Sequence, residues 1–355
     1  MNMETILLTG ATGFVGSALA ANFLAESTNV IALVRNDADG ERTRTAVLAA
    51  ANGFGICLPA IALRRNLHVL QADDDGYVAP LTVARLAEVA HVWHVAAEMS
   101  MATKNLARTF ATNVGMTTDL YRHVSAYAPR CRRFHYMSTA YVVGMDGGDV
   151  DETLHFGGHC INPYQVSKRC AEHSLALLSS GSRLPVTLFR PTIVVGHLAT
   201  GWTVRNGFGM YMFVEAMKVI TASKQASFNL PLVATSRPDF IPVDRLVHQA
   251  MLLTNRREKT PGLEIFNCSG GRGLSIGDAV AQIGRLCGVE VRYSAPETEL
   301  EQTMAAGMEG RLPFANTDWQ FVRSNLDRAI GRSRADRPVD EKDLDRLVEW
   351  YLETP

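Results

Sequence analysis

The chain has 355 residues, 47% hydrophobic and 20% charged, with a formal net charge of -1. That length allows one large domain or two lobes around a substantial core, and the near-neutral charge speaks against a nucleic acid or an anionic membrane surface as partner. The six cysteines show neither a CxxC pair nor a ligand-like spacing with histidine, which reads as reduced thiols of a cytoplasmic protein without a metal site, and no run of about 18 apolar residues offers an integral membrane segment.

The first predicted element is a short apolar strand over 6–9. It leads into Gly10-Ala11-Thr12-Gly13-Phe14-Val15-Gly16, which opens a helix over 17–26. Strand, glycine turn and helix come in the order a dinucleotide-binding unit needs. Gly10 permits the tight turn. Gly13 lets backbone amides approach a pyrophosphate at the helix N-terminus, and Gly16 lets the helix pack closely on the sheet. Thr12, Phe14 and Val15 complete the candidate cofactor contacts of this turn. A second strand over 30–34 ends at Arg35. A free ribose 2′-hydroxyl usually meets an acidic residue there, whereas arginine suits a 2′-phosphate through bidentate pairing, so the expected cofactor is NADPH. Arg42 and Arg44 are candidate assistants.

A helix pair over 41–66 precedes the third strand, 68–71. Asp73, just beyond it, is placed to accept the adenine amine, with Asp74 and Asp75 as competitors. Further strands are expected over 91–94, 133–138, 186–190 and 264–267, with helices over 81–89, 105–127 and 164–178. That alternation predicts an α/β fold: a Rossmann-type, doubly wound parallel sheet. After Arg190-Pro191 the chain becomes rich in glycine, aromatics and methionine, and from about 275 it is helical, ending in an amphipathic stretch over 344–352. The expected division is a dinucleotide-binding domain over 1–196 plus about 238–274. A smaller, discontinuous C-terminal substrate lobe takes 197–237 and 275–355. His94, His135 and His173, beside predicted elements, and His155 and His159, in a loop, share no metal-ligand spacing and read as structural.

Tyr164-Gln165-Val166-Ser167-Lys168 puts a phenol and an ammonium one helical turn apart. An unperturbed phenol has a pKa near 10, too high for ready proton transfer at neutral pH, and a nearby ammonium lowers it. The pair follows Ser138-Thr139 at the end of a predicted strand. Either hydroxyl can hold a carbonyl oxygen where negative charge develops.

With the glycine turn, these residues form a resemblance that runs from Ile6 to about Leu253. The matching pieces are TGATGFVG at 9–16, ALVR at 32–35, HVAAEMS at 94–100, NVGMT at 113–117, YMSTAYV at 136–142, YQVSK at 164–168, RPTIVVG at 190–196, GWTVRNGFG at 201–209 and DFIPVD at 239–244. The chain resembles extended short-chain dehydrogenases/reductases, and among them the fatty acyl-CoA reductase ("male sterility") branch with its thioester reductase relatives. The resemblance implies a catalytic set of Thr139, Tyr164 and Lys168 with Ser138 beside it. Tyr164 would donate the proton, and Lys168 would bind the nicotinamide ribose and tune the phenol. It also implies that Ala96 and Ala97 line the cofactor, that Asn113 supports the catalytic lysine from a central helix, and that Pro191 and Thr192 lie by the nicotinamide carboxamide. One departure is Ala72-Asp73, where the family has Gly-Asp.

The implied activity is NADPH-dependent reduction of an acyl-CoA or carrier-bound thioester to aldehyde or alcohol by a stand-alone reductase. A carrier protein is the candidate partner, and a homodimer is left open. The rivals are an extended reductase/epimerase acting on a ketone, hydroxy compound or nucleotide sugar, and a non-catalytic, cofactor-binding regulatory protein. An apolar acyl chain is expected along 202–217, near Trp202, Phe208, Met212 and Met217.

Overall fold

The computed structural model describes residues 4–73, 77–205, 208–256, 260–333 and 336–353. Asp74, Asp75 and the Asn206-Gly207 pair of the 201–209 motif lie outside the described residues. Seven parallel strands form the central sheet: β1 Thr5–Thr9, β2 Asn29–Val34, β3 Leu67–Gln71, β4 Val89–His94, β5 Arg133–Met137, β6 Val186–Pro191 and β7 Leu263–Cys268. Their spatial order is β7-β6-β5-β4-β1-β2-β3. Strand order therefore reverses between β1 and β4, and a ligand crevice belongs above the carboxyl ends of those two strands. All five residues of β1 and of β5 are buried, as parallel strands covered on both faces must be. The register sets Thr9 beside His94 and His94 beside Tyr136, one row across three strands at the crevice.

Helices flank the sheet. Phe14–Ala25 packs against Glu41–Gly53, the first of the expected inserted pair, with Ala60–Asn66 the second. The helix expected over 81–89 shrinks to Val83–Leu86, because β4 already begins at Val89. The helix expected over 105–127 is interrupted. Leu106–Phe110 and Thr117–Tyr127 are separated by a widened π-type turn, Ala111–Met116. Such turns mark places where a side chain or a function displaces the regular ladder. Pro163–Ser180 starts cleanly: Asn162 accepts the Gln165 amide as N-cap, and Pro163 has no amide to leave unpaired.

A second apolar cluster gathers helices Tyr211–Ala222, Ile276–Cys287 and Glu341–Glu353 around Phe213, Met217, Phe228, Ile283 and Leu347. Outside the main sheet, Ile193–Val195 pairs with Phe240–Pro242, Ser227–Asn229 with Glu290–Arg292, and Gly148–Val150 with Trp319–Phe321. Among the described residues no helix is long and apolar enough to cross a membrane.

Candidate active site

A cavity of about 720 Å³ opens at the crevice. Its phosphate end is built by the glycine turn. Gly10 has φ +76°, and a Cβ there would stand 2.8 Å from the Ala96 amide nitrogen. A Cβ on Gly16 would stand 2.1 Å from the Gly10 carbonyl oxygen, so the helix can lie this close to the turn only with glycine. Gly13 carries no such constraint: its nearest neighbour would be the Gly10 oxygen at 3.4 Å. It is the N-cap of Phe14–Ala25, with no side-chain cap and no acidic residue in the first turn. Gly10, Thr12, Gly13, Phe14, Val15 and Gly16 all line the cavity, so an uncapped helix end with its partial positive charge faces it.

Arg35 and Arg42 line the neighbouring wall, and the Arg42 guanidinium donates to the Arg35 carbonyl. The nearest acidic residue in sequence, Asp37, is occupied elsewhere. Its carboxylate accepts the Arg42 amide at 3.1 Å, the Thr43 amide at 2.9 Å and the Thr43 hydroxyl at 2.5 Å. Burial pushes its pKa up, but these hydrogen bonds outweigh it and hold the carboxyl below its ordinary value. Asp37 thus anchors the start of helix Glu41–Gly53 and sets Arg42 beside Arg35. Asp73 is exposed and is not part of the cavity wall, so the structure does not bring it to the site. Tyr77 does line it, a residue with no motif to announce it; burial pushes its phenol up to about 12.

At the other end Ser138, Thr139, Tyr164, Lys168, Pro191 and Thr192 converge, with Ala96 and Ala97 between the two ends. Thr139 heads the tight turn Ala140–Val143. Gln165 fastens that turn to helix Pro163–Ser180, donating to the Tyr141 carbonyl at 3.0 Å and accepting the Ile161 amide at 3.0 Å. Burial pushes the Tyr164 phenol up to about 12, with a hydrogen bond from Thr139 opposing it. The expected lowering by Lys168 is therefore not what dominates here. Lys168 donates to the Met137 carbonyl at 2.7 Å and lies 4.5 Å over the Tyr136 ring. Burial pulls its ammonium down to about 7, against the pull of Glu172 one turn along. Ser138 Oγ is buried without a hydrogen-bond partner, a donor left over for a ligand. Asn113 does not line the cavity. It sits behind it, in the widened turn, and donates to Ser167 Oγ at 2.9 Å.

Helix Pro163–Ser180 is tied to β6 by Glu172 and Arg190, a fully buried bidentate pair at 2.8 and 2.6 Å. Removing one partner of such a pair costs about 3–5 kcal/mol. Two residues on, the Thr192 hydroxyl donates to buried Asp239 at 2.7 Å.

The remaining wall is largely apolar and rich in methionine, with Met99, Met101, Met116, Met210, Met212, Phe208, Phe240 and Phe314, and it also carries Arg108 and Arg311. Two residues expected beside an acyl chain are not there. Trp202 follows Gly201 (φ +77°) and swings into the N-terminal core, with its ring 5.3 Å from Phe14 and 5.7 Å from Phe54. Met217 is fully buried on the inner side of its helix. Phe208 and Met212 do face the cavity. Arg311, 5.3 Å over the Phe208 ring, and Arg108, paired with Glu98 at 2.9 Å, were not anticipated.

A fold that takes a dinucleotide at its switch point and sets a hydroxyl, a phenol and an ammonium at the far end of the same cavity is that of an extended short-chain dehydrogenase/reductase, a class of NAD(P)-dependent oxidoreductases. Residues 8–250 match the family model described as male sterility protein. The chain belongs to that family.

Among curated relatives, it is 24% identical over 268 residues to the non-canonical nonribosomal peptide synthetase cpsA of Aspergillus campestris, covering 71% of this chain and 24% of that protein. It is 27% identical over 257 residues to the aldehyde reductase lnaA of Aspergillus flavus, covering 67% of this chain and 23% of that protein. The chain thus spans about a quarter of the length of either relative. Among solved structures, the terminal R domain from the myxalamid PKS-NRPS biosynthetic pathway superposes with a TM-score of 0.77 at 20% identity, over 100% of this chain and 93% of that one.

Proposed function

We propose that the chain is an NADPH-dependent reductase of an activated acyl group, a thioester carried on coenzyme A or on a carrier protein. The observation that carries this reading is the make-up of this cavity: an arginine-lined phosphate end, a Thr139–Tyr164–Lys168 end, and beyond it a methionine-rich, largely apolar wall. The reading takes residues 1–196 with about 238–274 as the cofactor part, and 197–237 with 275–355 as the substrate part. The separate apolar cluster around helices Tyr211–Ala222 and Ile276–Cys287 supports that division. A relative named as an aldehyde reductase favours carbonyl chemistry, and one named as a nonribosomal peptide synthetase favours an acyl substrate.

The dinucleotide fits what the chain presents: amides at an uncapped helix end, glycines where a Cβ would strike backbone, and a cavity hydroxyl without a partner. When bound, it supplies a hydride. The protein supplies position and a proton. Arg35 and Arg42 hold the 2′-phosphate, since both line the cavity while Asp37 is buried off its wall with its carboxylate turned to Arg42 and Thr43. Thr139 and Tyr164 donate to the carbonyl oxygen as it gains negative charge. Tyr164 gives its proton to that oxygen, and Lys168 stabilises the phenolate left behind. The resulting hemithioacetal breaks its C–S bond to give an aldehyde and a free thiol. The apolar wall excludes water and takes the acyl chain, at about 0.8 kcal/mol per buried CH₂.

The test is NADPH oxidation measured with acyl-CoA, acyl-carrier, ketone and nucleotide-sugar panels. Thioester reduction with release of free thiol is the expected result. Turnover confined to ketones or sugars would overturn the acyl reading.

A further inference from the structure

We propose that His94 is a positioning residue that holds the dinucleotide turn and helix Pro163–Ser180 in register. The proposal rests on the chain being an enzyme of this class, not on which carbonyl compound it reduces. His94 ends β4 at the sheet's switch point and is 1% exposed. Its two ring nitrogens contact different parts of the site. Nδ1 lies 2.7 Å from the Thr9 hydroxyl, and Nε2 lies 2.9 Å from the Thr117 hydroxyl.

The neighbours decide which nitrogen carries the proton. Thr117 donates to the Asn113 carbonyl at 2.7 Å, so its single hydrogen is taken and its oxygen must accept from Nε2–H. Nδ1 is then bare and accepts the Thr9 hydroxyl. The Thr9 oxygen is in turn free to accept the amides of Val95 at 3.1 Å and Ala96 at 3.0 Å. Those amides belong to the segment that lies against Gly10. With this tautomer both ring nitrogens and both threonine hydroxyls have complementary partners.

From Thr117 the chain of bonds continues to helix Pro163–Ser180. Asn113 accepts the Glu98 amide at 2.8 Å and donates to the Glu98 carbonyl at 3.0 Å and to Ser167 at 2.9 Å. Ser167 donates to the Tyr164 carbonyl at 3.0 Å. The Ala111–Met116 turn carries Asn113. A second path runs through rings: His94 stacks on Tyr136 at 5.8 Å, and Lys168 Nζ lies over that same Tyr136 ring. One imidazole thus links the turn that receives phosphates with both residues that handle the proton. Burial, and after it the Lys168 charge, keeps it neutral, down to about 3. That matches the tautomer, because a proton on Nδ1 would turn a third donor onto the Thr9 oxygen.

The experiment compares Thr117→Val, which keeps the shape and removes the hydroxyl, with Thr117→Ser, which restores it. Thr117→Val should lower kcat about 10- to 100-fold, as a small misplacement of reacting groups does, with dinucleotide affinity unchanged. Thr117→Ser should recover most of the rate. Thr9→Val should instead weaken dinucleotide binding, since it removes the hydroxyl that holds the Val95 and Ala96 amides. Unchanged kcat in Thr117→Val, or equal loss in the Ser and Val variants, overturns the proposal. Nitrogen-15 NMR of the wild-type imidazole needs no substrate and no variant. It should show His94 with Nε2 protonated, and an Nδ1–H tautomer overturns the proposal even if the Val variants fail to fold. A chain that reduces no thioester leaves the tautomer and dinucleotide measurements standing, so failure of the acyl reading is separable from failure of this one.

Discussion

Arg35→Asp should convert a strong preference for NADPH into a weak one. Arg35 ends β2 on the cavity wall, and Arg42 is held beside it by the Asp37 cap and by the Arg35 carbonyl. A charge-assisted hydrogen bond to phosphate contributes about 1.5–3 kcal/mol. At about 1.36 kcal/mol per decade, losing it weakens NADPH binding about 10- to 150-fold. NADH has no 2′-phosphate, so its affinity should hold, and the new carboxylate can accept its ribose hydroxyl. Arg42 stays in place, so NADPH binding is reduced rather than abolished, and Arg35→Asp combined with Arg42→Gln should remove the remaining preference. The assay is a fluorescence or calorimetric titration of both cofactors at fixed ionic strength, because phosphate contacts are screened by salt. Equal losses for NADPH and NADH, or no loss for either, would refute the placement of the 2′-phosphate at these arginines.

Tyr164→Phe should lower turnover about 10²–10⁴-fold while leaving dinucleotide affinity intact, as loss of an acid/base group does; stopped-flow rates and a binding titration check both halves. Gly16→Ala forces a Cβ to within 2.1 Å of the Gly10 oxygen, so it should lower stability by about 1–3 kcal/mol and weaken cofactor binding, read by melting with and without NADPH. Acid should destabilise the fold. Burial holds His91 and His94 neutral, down to about 3, against about 6.5 unfolded, so the stability is full above 6.5 and is lost as pH falls towards 3. Each histidine then costs about 2 kcal/mol at pH 5, to be compared with urea midpoints at pH 7. Met212→Asp, on the cavity wall, should raise KM for long acyl chains far more than for short ones in a variant that still melts cooperatively; equal effects at all lengths would count against an acyl pocket.

The sheet was legible because its strands are short, apolar and spaced by helical stretches, and the glycine turn because steric need selects glycine at positions 10 and 16. That Tyr164 and Lys168 would line one cavity was legible because a spacing of four residues puts them on one helix face. Other features carry no such mark. The widened turn at Ala111–Met116 is a backbone irregularity without a residue signature. Trp202 and Met217 looked like pocket residues because apolarity alone does not say which side of a wall a side chain faces. Asp73 has the right place in the sequence, but its exposure depends on how the chain leaves β3. His94 reads as a satisfied core histidine, and it is one; only the geometry shows that it joins the end of β1 to the start of helix Thr117–Tyr127.

Trp202 has a consequence for how the two parts of the chain behave. It is contributed by the stretch that leads into the second apolar cluster, yet it lies in the first, over Gly53, where even a methyl group would collide with its ring. Leu326, from the C-terminal third, is buried in that first cluster as well. The parts are therefore interleaved rather than hinged. Neither can be cut out and expected to fold alone, and the chain should unfold in a single cooperative transition. Trp202 ties the stretch after β6 to helices Phe14–Ala25 and Glu41–Gly53, through Phe14 and Gly53.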